Sequence, residues 1–222
     1  MESLIVFVLA GAVLIALIVR SILKYRYKRR DALQEQAQML GCSFTSQAEM
    51  DQIGEAGTLH LFSMGHGKKI RNLMTRIDSG MHTHVYDYRY TTGGGQHSQT
   101  HNQTVFQFQI PRMNLPAFTI RPENVFHKIG QSFGYKDIDF EEHPEFSKRY
   151  LLRGEDEAAV RSLFSQEVIT RFESEKGIIV EGKGSLMICY RSSRRVRPDD
   201  LWTGYESMQT LVQMFDRQSR YL

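Results

Sequence analysis

Histidine carries the most suggestive chemistry in this sequence: His82 and His84 stand two apart, and His97 and His101 follow in a polar, glycine-rich stretch. On a strand, residues two apart share a face, so a hairpin whose tip folded back would offer four imidazoles to a borderline metal ion. No carboxylate or thiolate shares that tip. Tips of this composition collect histidine as readily as glutamine or serine, so no metal site is expected and no cofactor is assigned.

Other patterns fail on context. Gly130, Ser132 and Gly134 satisfy the GxSxG spacing of a hydrolase nucleophile elbow. That elbow needs a helix after it and an acid and a histidine later, whereas YKDIDF is not helical in pattern and His143 is the only later histidine. Asp137, Asp139 and Glu141 alternate as in a calcium loop, but Glu142 stands where the turn glycine belongs and Lys148 where the bidentate glutamate belongs. Gly93 to Gly95 opens no helix, and GKGS at 182–185 lacks the upstream glycine of a phosphate-binding loop. Cys42 and Cys189 are far apart without CxxC spacing, which indicates neither a disulfide framework nor a zinc site.

Cations are more telling. Arg191, Arg194, Arg195 and Arg197 cluster at the exit of an expected strand, either as a solvated loop or as a contact for lipid phosphates or an acidic partner surface. Arg20, Lys24, Arg26, Lys28, Arg29 and Arg30 flank an uncharged apolar run over residues 4–19, which Ser21, Ile22 and Leu23 extend to a span of about twenty residues if Arg20 snorkels outward, with Tyr25 and Tyr27 among the bases. Together they resemble the membrane-interface flank of a transmembrane helix, and the positive-inside rule would leave the N-terminus outside and the rest in the cytoplasm. The first 30 residues hold six bases against Glu2, so the remaining chain is slightly acidic although the whole carries +3. That balance argues against a nucleic-acid binder.

The expected organisation is therefore a transmembrane anchor with its basic flank at 1–30, a helical stalk at 31–41 closed by Gly41, and one soluble α+β domain at 42–222. Strands are expected at LHLFSM, LMTRID, HVYDYRYT, TVFQFQI, KRYLLRG, GIIVEG and SLMICYR. LPAFTIRPEN reads as an edge strand because Pro116 and Pro122 limit its pairing. One helix is expected over EDEAAVRSLFSQEVITRFESEKG, and a last one opens at Pro198 with an apolar stripe through Phe215. The order argues for a mainly antiparallel sheet with two packed helices.

The strings VYDYRYTTGGG, QTV, LPAFTIRPEN and IDFEEHPEFSKRYLLRGEDEAAVRSLF resemble a family of bacterial single-pass membrane-anchored proteins with the pattern FDYxYT, QTV, LPxFxLxPE and PEFSxxYxLxGxDExxVRxLF. The resemblance covers most of residues 60–190 and departs from the pattern at Tyr86 and Gln96. It implies a bacterial source and a recurrent fold behind a membrane anchor, and it brings no activity; the expected location is the bacterial inner membrane. The expected role is an interaction protein, an accessory or scaffold subunit docking on a larger membrane complex, with the lipid bilayer and other membrane-protein subunits as partners. Tyr86, Tyr88, Tyr90, Phe106 and Phe108 offer aromatic surface to such an interface if both sheet faces are covered, with core packing expected to account for at least half of them. No small-molecule substrate is indicated. The alternative is a metal-dependent sensor or enzyme using the histidine-bearing tip.

Overall fold

The computed structural model of the chain describes residues 2–123 and 137–222. The GxSxG motif at 130–134 lies outside the described residues. Among these residues, strands β1 (Ser43–Ala48), β2 (His66–Asp78), β3 (Met81–Thr92), β4 (Gln99–Gln109), β5 (Leu115–Pro122), β6 (Tyr150–Gly154), β7 (Ile179–Gly184) and β8 (Leu186–Tyr190) form one sheet. Its order is β1-β2-β3-β4-β8-β7-β5-β6. Every neighbouring pair runs antiparallel. The helices are α1 (Glu2–Met39), α2 (His60–Ser63), α3 (Pro144–Arg149), α4 (Glu157–Leu163), α5 (Gln166–Ser174) and α6 (Leu201–Ser219).

Both faces of the sheet are buried, and the period of two decides which residues go where. Val85, Phe106, Phe108, Phe118, Ile120 and Val180 point to the face covered by α4, α5 and α6. Phe215 of α6 stacks on Phe118 at 5.4 Å between ring centroids and meets Phe164 edge-on at 5.4 Å. Tyr86, Tyr88 and Tyr90 point the other way, beneath the turn of 3₁₀ helix at Met50–Thr58 and α2, with Ile53, Leu61 and Phe62. Phe62 packs edge-on to Tyr88 at 4.8 Å. The five aromatic residues expected at an interface are thus all core residues.

Several expectations change in detail. LHLFSM is α2 and its flanks rather than a strand, because a short apolar run buried on one side suits either element. The single helix over 155–177 is two, broken at Phe164 and Ser165. Asp156 caps the first by accepting the Ala159 N–H at 3.0 Å. The break turns Phe164 and Phe172 onto one cluster at 6.0 Å. β5 is an inner strand flanked by β6 and β7. Its prolines are tolerated because Pro116 sits at a register shift between Leu115 and Phe118, and Pro122 is the last residue of the strand.

The N-terminal anchor is overturned. Among the described residues no helix is long and apolar enough to cross a membrane. The transmembrane helix in the fold class, the single-pass topology and the inner-membrane location with an outer N-terminus therefore do not stand. The uncharged run at 4–19 amounts to only about 24 Å at 1.5 Å per residue, short of a ~30 Å hydrocarbon core. α1 then continues unbroken through Arg20, Lys24, Arg26 and beyond. Its last turns are part of the domain: Leu33 and Ala37 lie in the core, and Gly41, at φ +63°, turns the chain so that the Cys42 N–H closes on the Ala37 carbonyl at 2.8 Å. No free stalk separates helix from sheet.

Candidate functional site

The arginine cluster is where the sequence reading and the structure meet. β8 ends at Tyr190, and the chain turns at Ser193, which holds a left-handed φ of +55°. The loop is then laid along β4. The Thr104 N–H donates to the Arg194 carbonyl at 3.2 Å, the Val196 N–H to the Thr104 hydroxyl at 3.0 Å, and the Ser193 N–H to Gln103 Oε1 at 3.2 Å. The sheet itself therefore positions Arg191, Arg194, Arg195 and Arg197.

These residues and Lys176 rim a groove of about 840 Å³ whose apolar lining includes Phe106, Ile178, Val196 and Met208. Arg191 donates to Glu175 Oε2 at 2.8 Å, and Arg195 donates to Asn102 Oδ1 at 2.8 Å. Arg197 stands 3.5 Å from Asp199 and 3.9 Å from Asp200, all three well exposed. Such exposed pairs are worth about 1 kcal/mol or less, so the cation is available to a better partner. Arg194 is exposed.

On the other side of this loop lies a residue the sequence reading placed at a membrane interface. Arg29 is only 8% exposed and grips Asp87 of β3 through Nε at 2.8 Å and a terminal nitrogen at 2.7 Å. It also donates to the Val196 carbonyl at 2.8 Å, which ties α1 to the arginine loop. Asn72 Nδ2 and the Thr104 hydroxyl complete the Asp87 shell at 2.9 and 3.1 Å. Arg20, Lys24, Tyr25, Arg26, Tyr27 and Lys28 remain exposed, and Arg30 pairs with its neighbour Asp31 at 2.7 Å. Leu14, Ile18 and Ile22 of α1 are also exposed.

A third polar centre lies under α2. Glu181 of β7 is fully buried, accepting the Leu61 N–H at 3.1 Å and the Tyr190 hydroxyl at 2.9 Å. Burial pushes its carboxyl up to about 7, against the downward pull of those hydrogen bonds and of the Arg121 charge. His60, at the start of α2, is driven down to about 4 by burial and then by Arg121. Both residues line a cavity of about 170 Å³ with Thr119, Arg153 and Lys183. Sequence reasoning passed over Asp87 and Glu181. The signal was there: a lone carboxylate inside an otherwise apolar strand must find partners.

The histidines do not assemble. His82 and His84 open β3, while His101 faces Tyr90 near its far end, about 20 Å beyond His84 at strand rise. His84 Nδ1 meets the Thr75 hydroxyl at 2.9 Å. His101 is buried, stacks on Tyr90 at 4.6 Å and meets Thr92 and Ser193 hydroxyls at 2.9 and 2.8 Å. His97 lies exposed in the connecting turn. Among the described residues no three His, Cys, Asp or Glu side chains come together as a metal site.

No family model matches the chain, and no curated protein matches it in sequence. Its fold does match a solved one. The crystal structure of the mycobacterial trehalose monomycolate transport factor A, TtfA, superposes with a TM-score of 0.62 at 10% identity, covering 88% of this chain and 94% of that one. At that identity the likeness shows a shared fold.

Proposed function

We propose that this chain is an accessory or scaffold subunit of a transport assembly, docking through its arginine-rimmed groove onto an acidic segment of a partner protein. The observation that carries the reading is the groove itself: Lys176 and the four arginines of the 191–197 loop ring it, with the half-buried Val196 among its apolar lining. Partly desolvated arginine beside apolar surface is what protein interfaces use for anchoring, and its planar fork matches carboxylates. Transport enters through the fold shared with a transport factor.

The test is a double charge reversal, Arg194→Glu with Arg197→Glu, in the full chain. Both side chains are exposed, so the fold survives. Affinity purification after cross-linking in cells should recover a component of a transport system with the unaltered chain and lose it with the reversed one. Recovery unchanged by the reversal contradicts the reading.

A further inference from the structure

A second, smaller cavity lies across the arginine loop from that groove, between α1, β1 and β2, and encloses about 170 Å³. Five guanidinium groups line it, from Arg26, Arg29, Arg30, Arg71 and Arg195, against one carboxylate, Asp87. We propose that this pocket binds a phosphate-class oxyanion, gripped by Arg26, Arg30, Arg71 and Arg195. The inference does not rest on the docking reading: the two cavities share Arg195 alone among their lining residues.

The charge balance is the first argument. Asp87 receives two donors from Arg29 and one each from Asn72 and Thr104, so its acceptor capacity is taken. Arg71 stands opposite Asp87 in the β2–β3 register, yet among the described residues no ion pair joins them. Arg195 spends one terminal nitrogen on the neutral Asn102 side chain, and no ion pair is formed by it among the described residues. Arg30 is engaged by Asp31 on the outer side and stacks over Tyr27 at 5.0 Å. Four cations drawn from three separate segments of chain thus line the pocket, and of these only Arg30 has a carboxylate of its own among the described residues, its neighbour Asp31, which is not part of the lining.

Backbone geometry is the second. β2 carries a bulge between Arg71 and Met74, and there Asn72 is held at φ +51°. Asparagine tolerates that region better than other residues with a Cβ, but it still costs free energy. The bulge turns Asn72 onto Asp87 and keeps that carboxylate occupied beside Arg71. Size is the third. The volume falls below the ~300 Å³ at which drug-sized ligand sites begin, which fits a compact oxyanion rather than a peptide. Guanidinium forks match the edges of a phosphate, two oxygens at a time.

Phosphate chemistry of this kind comes either from a soluble phosphate or from a lipid headgroup, and the experiment separates them. Titrate the full chain with pyrophosphate at constant ionic strength by calorimetry, and float it with vesicles of phosphatidic acid or of phosphatidylcholine alone. Saturable pyrophosphate binding is expected, weakened at least about tenfold by Arg71→Gln or by Arg26→Gln, one charge-assisted pair each. Arg26 is exposed on α1, so that variant folds even where Arg71→Gln does not. Lys148→Gln, an exposed side chain that lines neither cavity, should leave the affinity unchanged. Flotation with phosphatidic acid that pyrophosphate displaces assigns a headgroup, and pyrophosphate binding without flotation assigns a soluble ligand. Absence of saturable binding to both probes, or binding untouched by Arg26→Gln and Arg71→Gln, overturns the proposal.

Discussion

Replacing Glu181 by glutamine isolates the buried carboxyl beneath α2. Its folded value of about 7, against an ordinary 4.5, means the folded state holds a proton that the unfolded chain releases. Stability from this group is fully present below about pH 4.5 and is lost as pH rises toward 7, by roughly 3 kcal/mol at 1.36 kcal/mol per pH unit. His60 works in the opposite sense. Held down at about 4 against 6.5, it stabilises the fold above about pH 6.5 and loses that contribution as pH falls toward 4. The two largely offset one another between about pH 4.5 and 6.5, so the unaltered protein should show a flat profile there. Glu181→Gln keeps an oxygen for the Leu61 N–H and removes the titration. Its stability should then climb with pH under the influence of His60 alone. Relative to the unaltered chain it should gain about 3 kcal/mol between pH 4 and pH 7.5. Urea unfolding across that range measures the difference directly. A difference that stays constant with pH would refute the reasoning, since any fixed cost of the amide is independent of pH.

Other outcomes follow from the packing. Arg29→Ala should cost about 3–5 kcal/mol in chemical unfolding, because it leaves Asp87 charged and buried with only Asn72 and Thr104 to serve it. Phe215→Ala should cost a similar ~3–5 kcal/mol, since the ring is wholly enclosed against Phe118, Phe164 and Phe172. An added methyl in Gly182→Ala would lie 2.4 Å from the Phe118 ring and should lower stability by about 1–3 kcal/mol. Chelators should leave the thermal unfolding midpoint of the full chain unchanged, as the core among the described residues closes without a ligand cluster.

Much of the sheet was legible because alternation over HVYDYRYT and TVFQFQI admits one periodicity, and because Gly184, at φ +57°, marks the β7–β8 turn plainly. The α6 stripe was legible too, from Leu201 through Phe215. The rest depended on long-range partners. A four-residue helix such as α2 has no period of its own to read. The break at Ser165 needs knowledge of where Phe164 and Phe172 must land. Arg29 was read as a flank because a base beside an apolar run carries no sign that Asp87, 58 residues later, will bury it. The arginine loop was found from composition alone, but the groove it rims joins residues from β4, the α5–β7 connection and α6.

The docking account is tested most directly by a photo-activated cross-linker placed at Thr203, inside the groove, with Thr210 on the exposed side of α6 as the control position. The account predicts a discrete adduct from Thr203 to a transport-system component, none from Thr210, and loss of the adduct when Arg194→Glu and Arg197→Glu are introduced. Equal labelling from both positions, or an adduct indifferent to the charge reversal, would contradict it.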